Sequence, residues 1–138
     1  MPELKKYKMF IDGEWVDSES KKTFETLNPE NNKPWAVAPE ASAKDVDRAV
    51  KAAQKAFEGE WPKLLPRDRA KFLRAIADQL RKNAEMLGKI ETIDTGKLFR
   101  ETKQQAIYIA EYYDYYAGLA DKVEGTVLPI DKPNVQAI

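Results

Sequence analysis

The chain has 138 residues with 23 basic and 23 acidic side chains, so its net charge is zero. That balance argues against nucleic acid or an anionic membrane surface as a partner. Cys and His are both absent, which excludes from these residues a thiol nucleophile, a disulfide, a Cys/His zinc site and a serine triad.

What remains for chemistry is carboxylates, lysines, tyrosines and serines, with a hard oxygen-liganded cation still open. No Gly-x-Gly-x-x-Gly or Walker loop is present, so no phosphate cradle is legible. No apolar run reaches bilayer length, and Met-Pro-Glu-Leu-Lys-Lys has no signal-peptide core, so the expected compartment is cytoplasmic.

Residues 1–8 are polar and are expected to form a loose arm. Met9 to Val16 reads as a β-hairpin turning at Asp12-Gly13, where both central positions tolerate positive φ. Phe10 and Trp15 should meet across it. Lys22 to Leu27 is rich in β-formers and stops at Asn28-Pro29, because Pro donates nothing to a ladder and biases the residue before it towards extended geometry. After a turn, Pro34 to Ala38 returns as a fourth strand. The first 40 residues are therefore expected to be a small antiparallel unit.

Ser42 and Asp45 form a capping box, and Val46, Val50, Ala53 and Phe57 follow at helical spacing. Pro66 suits the first position of a second helix, which carries Phe72, Leu73, Ile76, Ala77 and Leu80 on one face. Its basic outer side reads as a solvated, partly paired surface. Asn83 reads as a turn and N-cap opening a third helix that runs to Asp94, with Gly96 as a left-handed stop.

The stretch Glu91 to Arg100 organises the rest. Asp94 is an acid in the last helical turn, where the exposed carbonyls favour cations. It needs a compensating partner. Local sequence leaves two readings open: a cap or ion pair with Lys97, or a bound cation among carbonyls and the carboxylate.

A fourth helix, Phe99 to Leu119, leaves almost no polar face beyond its first turn. Such a helix expects protein on most sides, more than 138 residues readily supply. Its tyrosines fit either a core or the wall of a pocket, core packing being the expected role for most. Lys122 to Ile130 reads as a strand, Asp131 to Pro133 as a turn, and Asn134 to Ile138 as a returning strand. The chain is expected to be the front part of something longer.

These segments together resemble the N-terminal part of an NAD(P)-dependent aldehyde dehydrogenase. The resemblance rests on Phe-Ile-Asp-Gly-Glu-Trp-Val at 10–16, Thr-Leu-Asn-Pro at 26–29, Asp45 to Phe57 and Arg67-Asp68-Arg69. It continues through Glu91 to Lys97 and Tyr-Tyr-Ala-Gly at 115–118. The betaine-aldehyde subgroup is the nearest in flavour. The resemblance implies an α/β fold, with hairpins and four helices over 1–122 belonging to the cofactor-binding domain, and the start of an oligomerisation hairpin over 123–138.

In that family a cysteine adds to the aldehyde, hydride passes to NAD or NADP, and water activated by a glutamate hydrolyses the thioester. None of that machinery falls within these residues, so the chain alone is expected to be inactive, with no catalytic or cofactor-binding residue of its own. The resemblance further implies a K⁺ or Na⁺ site at the Thr26 and Leu27 carbonyls and Asp94. It also implies a substrate tunnel touching Gln104 and Tyr108, with Tyr112 less securely placed, and a small aldehyde as substrate. The expected partners are the remainder of the same polypeptide and further copies in a homo-oligomer, without nucleic acid or membrane. The rival readings are a noncatalytic helical interaction module and a truncated gene product.

Overall fold

The computed structural model describes residues 4–128 and 133–134. Strand β1 (Lys5–Lys6), the hairpin strands β2 (Met9–Ile11) and β3 (Glu14–Val16), β4 (Thr23–Asn28) and β5 (Lys33–Pro39) precede three helices. These are α1 (Ala43–Glu58), α2 (Pro66–Thr95) and α3 (Phe99–Leu119), with a short 3-10 turn at Trp61–Lys63 between the first two.

The hairpin turns at Asp12 (φ 52°) and Gly13 (φ 84°), the double positive φ that an Asp-Gly turn needs. It pairs Phe10 with Trp15, whose rings lie 5.0 Å apart. The described strands β1–β5 form two sheets rather than one antiparallel unit. β2 and β3 stand alone, while the other sheet has the order β1-β5-β4. The expected loose arm is partly a strand: Lys5 and Lys6 run parallel to Ala36 and Val37. Two exposed lysines give no alternation of apolar and polar side chains to read.

Between β4 and β5 the register slips. Thr26 faces Ala36 and Leu27 faces Pro34, leaving Trp35 as the extra residue of a bulge. Ser42 caps α1 in the expected box, its hydroxyl accepting from the Asp45 N–H while the Asp45 side chain accepts from the Ser42 N–H.

Helix α2 is continuous for 30 residues, so the described residues form three α-helices where the sequence suggested four. Asn83 neither turns the chain nor caps a helix. Its side-chain amide donates to the Gln79 carbonyl one turn back at 2.8 Å, within the helix. Tertiary packing overrides its cap preference. Ala70, Ala77, Ala84 and Gly88 form a buried seam along α2, against which α3 lays Thr102, Ala106, Ala110 and Ala117. A break at 83 would disrupt this seam. The basic outer side of α2 is partly paired, as expected: Lys71 with Asp68, and Arg81 with Asp78 and with Asp114 of α3.

Gly96 ends α2 at φ 75° and sends its N–H to the Thr92 carbonyl. A Cβ on it would sit 3.2 Å from Pro29 Cγ. Gly96→Ala is therefore expected to destabilise the fold by about 1 kcal/mol or more, from left-handed strain and the Pro29 contact together. Denaturant unfolding of the two proteins checks this.

Residues 122–127 carry no helix or strand, so the strand expected over 122–130 is not formed there. Leu128 is an isolated bridge residue and Pro133 and Asn134 lie in a turn; residues 129–132 and 135–138 of the expected terminal hairpin fall outside the described residues.

Among the described residues the buried apolar set is Ile11, Ala36, Ala70, Ala77, Ala84, Ala106, Ala110 and Ala117. Seven of these eight are alanines, whereas large apolar side chains ordinarily fill a core. Here Val46, Val50, Phe57, Phe72 and Ile76 are instead exposed on α1 and α2. The helices meet through their small residues and turn their large ones outward.

Candidate functional site

The turn between α2 and α3 is built from long-range polar contacts. Asp94 Oδ1 accepts from the Thr26 hydroxyl at 2.7 Å and from the Trp35 indole N–H at 3.3 Å. Two neutral donors from β4 and the bulge of β5 thus answer the acid at the helix end. Lys97 is not its partner; that ammonium lies 2.6 Å from Glu91. Thr26 and Asp94, both singled out from sequence, are in direct contact, and Leu27 follows Thr26 at the register slip.

The Asp94 carboxylate thus lies beside the irregular stretch where β4 and β5 lose register. Pro34, opposite Leu27, has no N–H to give the ladder. Among the described residues no three carboxylates gather as a metal cluster, so any cation here would depend on carbonyls.

Thr102 locks the start of α3 to α2. It is fully buried, and its hydroxyl lies 2.9 Å from the Gly88 carbonyl and 2.9 Å from the Thr92 hydroxyl. The sequence reading missed this residue. The available signal was a small polar side chain on the same stripe as Ala106, Ala110 and Ala117.

The outer face of α3 carries the tyrosines. Tyr108, Tyr112, Tyr115 and Tyr116 are between 50% and 63% exposed, which corrects the expectation that most of them pack in the core. The Tyr108 and Tyr112 rings meet edge to face at 5.0 Å and their hydroxyls lie 3.1 Å apart. That hydrogen bond pushes the Tyr112 phenol above its ordinary pKa, with the charge on Tyr108 and burial adding. Tyr115 and Tyr116 form a second edge-to-face pair at 5.4 Å.

With Glu111 these four rings line a hollow of about 350 Å³. Gln104 and Tyr108, one turn apart, share an adjoining hollow with Arg100, Glu101 and Gln105. The two residues expected to line a tunnel are thus brought together on one face of α3. Their surroundings combine aromatic and amide surface with the charged side chains of Arg100, Glu101 and Glu111, an arrangement that can bind and orient a small molecule. No helix among the described residues is long and apolar enough to cross a membrane.

Comparison with known proteins agrees with this architecture. The profile of the aldehyde dehydrogenase family matches residues 15–138. A (Z)-2-((N-methylformamido)methylene)-5-hydroxybutyrolactone dehydrogenase of Acinetobacter baylyi is 44% identical over 97% of this chain and 27% of its own length. Betaine aldehyde dehydrogenase of Bacillus subtilis is 37% identical over 94% of the chain and 26% of its own length. Among solved structures, betaine aldehyde dehydrogenase of Staphylococcus aureus in complex with NAD⁺ superposes with a TM-score of 0.86 at 38% identity, covering 94% of this chain and 26% of that one.

The described residues are a mixed α/β segment that shares its fold with part of that structure. The chain belongs to the aldehyde dehydrogenase family. It spans roughly a quarter of the length of the relatives it matches.

Proposed function

We propose that this chain acts as the leading part of an NAD(P)⁺-dependent aldehyde dehydrogenase that oxidises a small aldehyde to its acid. The observation that carries the proposal is the inverted core: alanines inside, tyrosines and large aliphatics outside. Together with family membership, that pattern supports a shell that further polypeptide covers.

NAD(P)⁺, when bound, supplies the hydride acceptor; no residue of this chain is assigned to holding it. With no cysteine present, the nucleophile is supplied from polypeptide outside these residues. Residues 1–122 contribute to the cofactor-binding domain and residues 123–138 to an oligomerisation hairpin, in a cytosolic homo-oligomer.

In the proposed tunnel Gln104 and Tyr108 meet the substrate. The aromatic face suits an aldehyde bearing a quaternary ammonium, held through cation–π contact. The test is a chimera in which residues 1–138 replace the matching segment of the Staphylococcus aureus enzyme. NADH formation from betaine aldehyde is expected from the chimera and not from the 138 residues alone; a folded but inactive chimera contradicts the proposal. Introducing Tyr108→Ala into the active chimera should lower kcat/KM for betaine aldehyde relative to an uncharged aliphatic aldehyde by about tenfold, the scale of one desolvated cation–π contact. An unchanged ratio would remove Tyr108 from the tunnel.

The cation reading is proposed for Thr26, Leu27 and Asp94. The Thr26–Asp94 contact and the bulge opposite Leu27 support it. K⁺ or Na⁺, compared with choline at equal ionic strength, should raise the unfolding temperature of the chimera. Asp94→Ala should abolish that increment. The same cation response in both proteins places the ion elsewhere.

A further inference from the structure

We infer that α2 carries a second helix-packing seam, Phe72, Ile76, Gln79, Asn83, Met86 and Ile90, which receives an α-helix from the polypeptide outside these 138 residues. The inference rests on the proposed function and deepens it by giving the covering element its form. The six positions recur at alternating steps of four and three along α2. Their mean step of about 3.5 is the repeat by which one helix seats the side chains of another.

Helix α2 is thus two-sided. Its small residues at 70, 77, 84 and 88 meet α3. The second seam is open: Phe72, Ile76 and Met86 are exposed, and with Gln79 and Asn83 they line a groove of about 480 Å³. Trp61 stands at one end of it, its ring 5.8 Å from that of Phe72. From Phe72 to Ile90 the seam runs about 27 Å, the length of a helix of about 18 residues.

The middle of the seam is polar. The Asn83 amide donates to the Gln79 carbonyl at 2.8 Å, and among the described residues its Oδ1 has no donor. One polar side chain in an apolar seam fixes register, because only one alignment supplies its partner. The incoming helix therefore places apolar side chains against Phe72, Ile76, Met86 and Ile90, and a hydroxyl or amide donor level with Asn83.

Two observations favour the same polypeptide over a second copy as the occupant. The chain spans roughly a quarter of the length of its relatives, which leaves ample polypeptide to supply a helix. The chain also leaves α3 close to the groove: Asp121, just past the helix, lies within reach of the charge on Arg74, two positions from Phe72. Covalent connection there holds following segments at high effective concentration.

The test is photocrosslinking in the full-length protein, with p-benzoylphenylalanine replacing Gln79 in one variant and Met86 in another. Each should capture residues of the same polypeptide beyond these 138. The two probes stand about 10 Å apart along α2, so on a helix their capture points should lie about seven residues apart; a strand covers that distance in about three. Ile76→Lys should lower the unfolding temperature of the full-length protein by about 5 °C or more, since it buries an unpaired ammonium; on a bare surface it would change little. Capture points about three residues apart reject the helix. Crosslinked dimers assign the seam to a second copy. No capture, or an unchanged unfolding temperature, leaves the seam uncovered, and each of these results overturns the inference. NAD⁺-dependent aldehyde oxidation by the unsubstituted protein is measured alongside. Activity with failed capture sinks only the inference; correct capture without activity sinks only the proposed function.

Discussion

Gly88→Leu is expected to separate α2 from α3 and abolish cooperative unfolding. A Cβ placed on Gly88 would lie 2.8 Å from both the Cα and the N of Lys103, inside the backbone of the facing helix. No rotamer change relieves a collision with main chain; the helices themselves must part. Around that point the buried Thr102 hydroxyl donates to the Gly88 carbonyl, so parting also breaks that bond between the helices.

Replacing glycine by alanine in a helix interior ordinarily gains about 1 kcal/mol. Here the collision outweighs that gain, and even Gly88→Ala should be net destabilising by about 1–2 kcal/mol, within the usual range for overpacking. For leucine the loss should reach about 3 kcal/mol or more, a large share of the stability of a small domain. Gly118, in α3, is the control, because nothing lies within 4 Å of its added Cβ. Gly118→Ala should leave stability unchanged or raise it by up to about 1 kcal/mol. Denaturant unfolding followed by circular dichroism separates the three variants.

Asp45→Ala is expected to lower the unfolding temperature by about 10 °C or more, through several donors orphaned at once. Its buried carboxylate accepts from the Ser42 N–H at 2.9 Å, the Ser42 hydroxyl at 2.8 Å, the Ser18 hydroxyl at 2.9 Å and the Glu19 N–H at 3.2 Å. The residue therefore holds the loop after β3 against the start of α1, across 27 positions of chain.

Chiefly the Ser42 backbone N–H, opposed by burial and helped by the serine hydroxyls, keeps its carboxyl well below the usual carboxylate range. A depressed folded-state pKa means that the stabilisation is complete above the unfolded carboxylate's value near pH 4, and is lost as pH falls from there towards the folded value. Unfolding free energy measured from neutral pH down to about pH 3 should fall in the wild type below that point. Asp45→Asn should start lower at neutral pH and show less of that acid-side loss. Parallel profiles would mean that Asp45 titrates alike in both states.

Local chemistry made much of this fold legible. The double positive φ at Asp12 and Gly13, the Ser42–Asp45 box and the left-handed Gly96 each follow from a few adjacent residues. The errors came where distant residues decide. Asn83 reads as a cap, but the seam at 70, 77, 84 and 88 keeps α2 whole; the seven-residue recurrence of alanine was the available signal.

Lys5 and Lys6 join β5 through backbone bonds that leave no side-chain pattern. At the candidate site the sequence marked Asp94 as an acid in need of a partner. The partner is a pair of neutral donors, Thr26 and Trp35, lying 68 and 59 positions away. Thr26 and Asp94 were paired by family resemblance; nothing in the spacing of Trp35 could have added it. Exposure of the tyrosines was half legible. A helix apolar on nearly every side demands cover, but sequence does not say which side this chain leaves bare.

Hydroxyl-radical footprinting of the tyrosine side chains bears most directly on whether this chain is a shell meant to be covered. In the isolated chain Tyr112, Tyr115 and Tyr116 should label readily, as their exposure requires. In the chimera with the remainder of the Staphylococcus aureus enzyme the same rings should be strongly shielded. Equal labelling of these tyrosines in the two proteins would contradict the account.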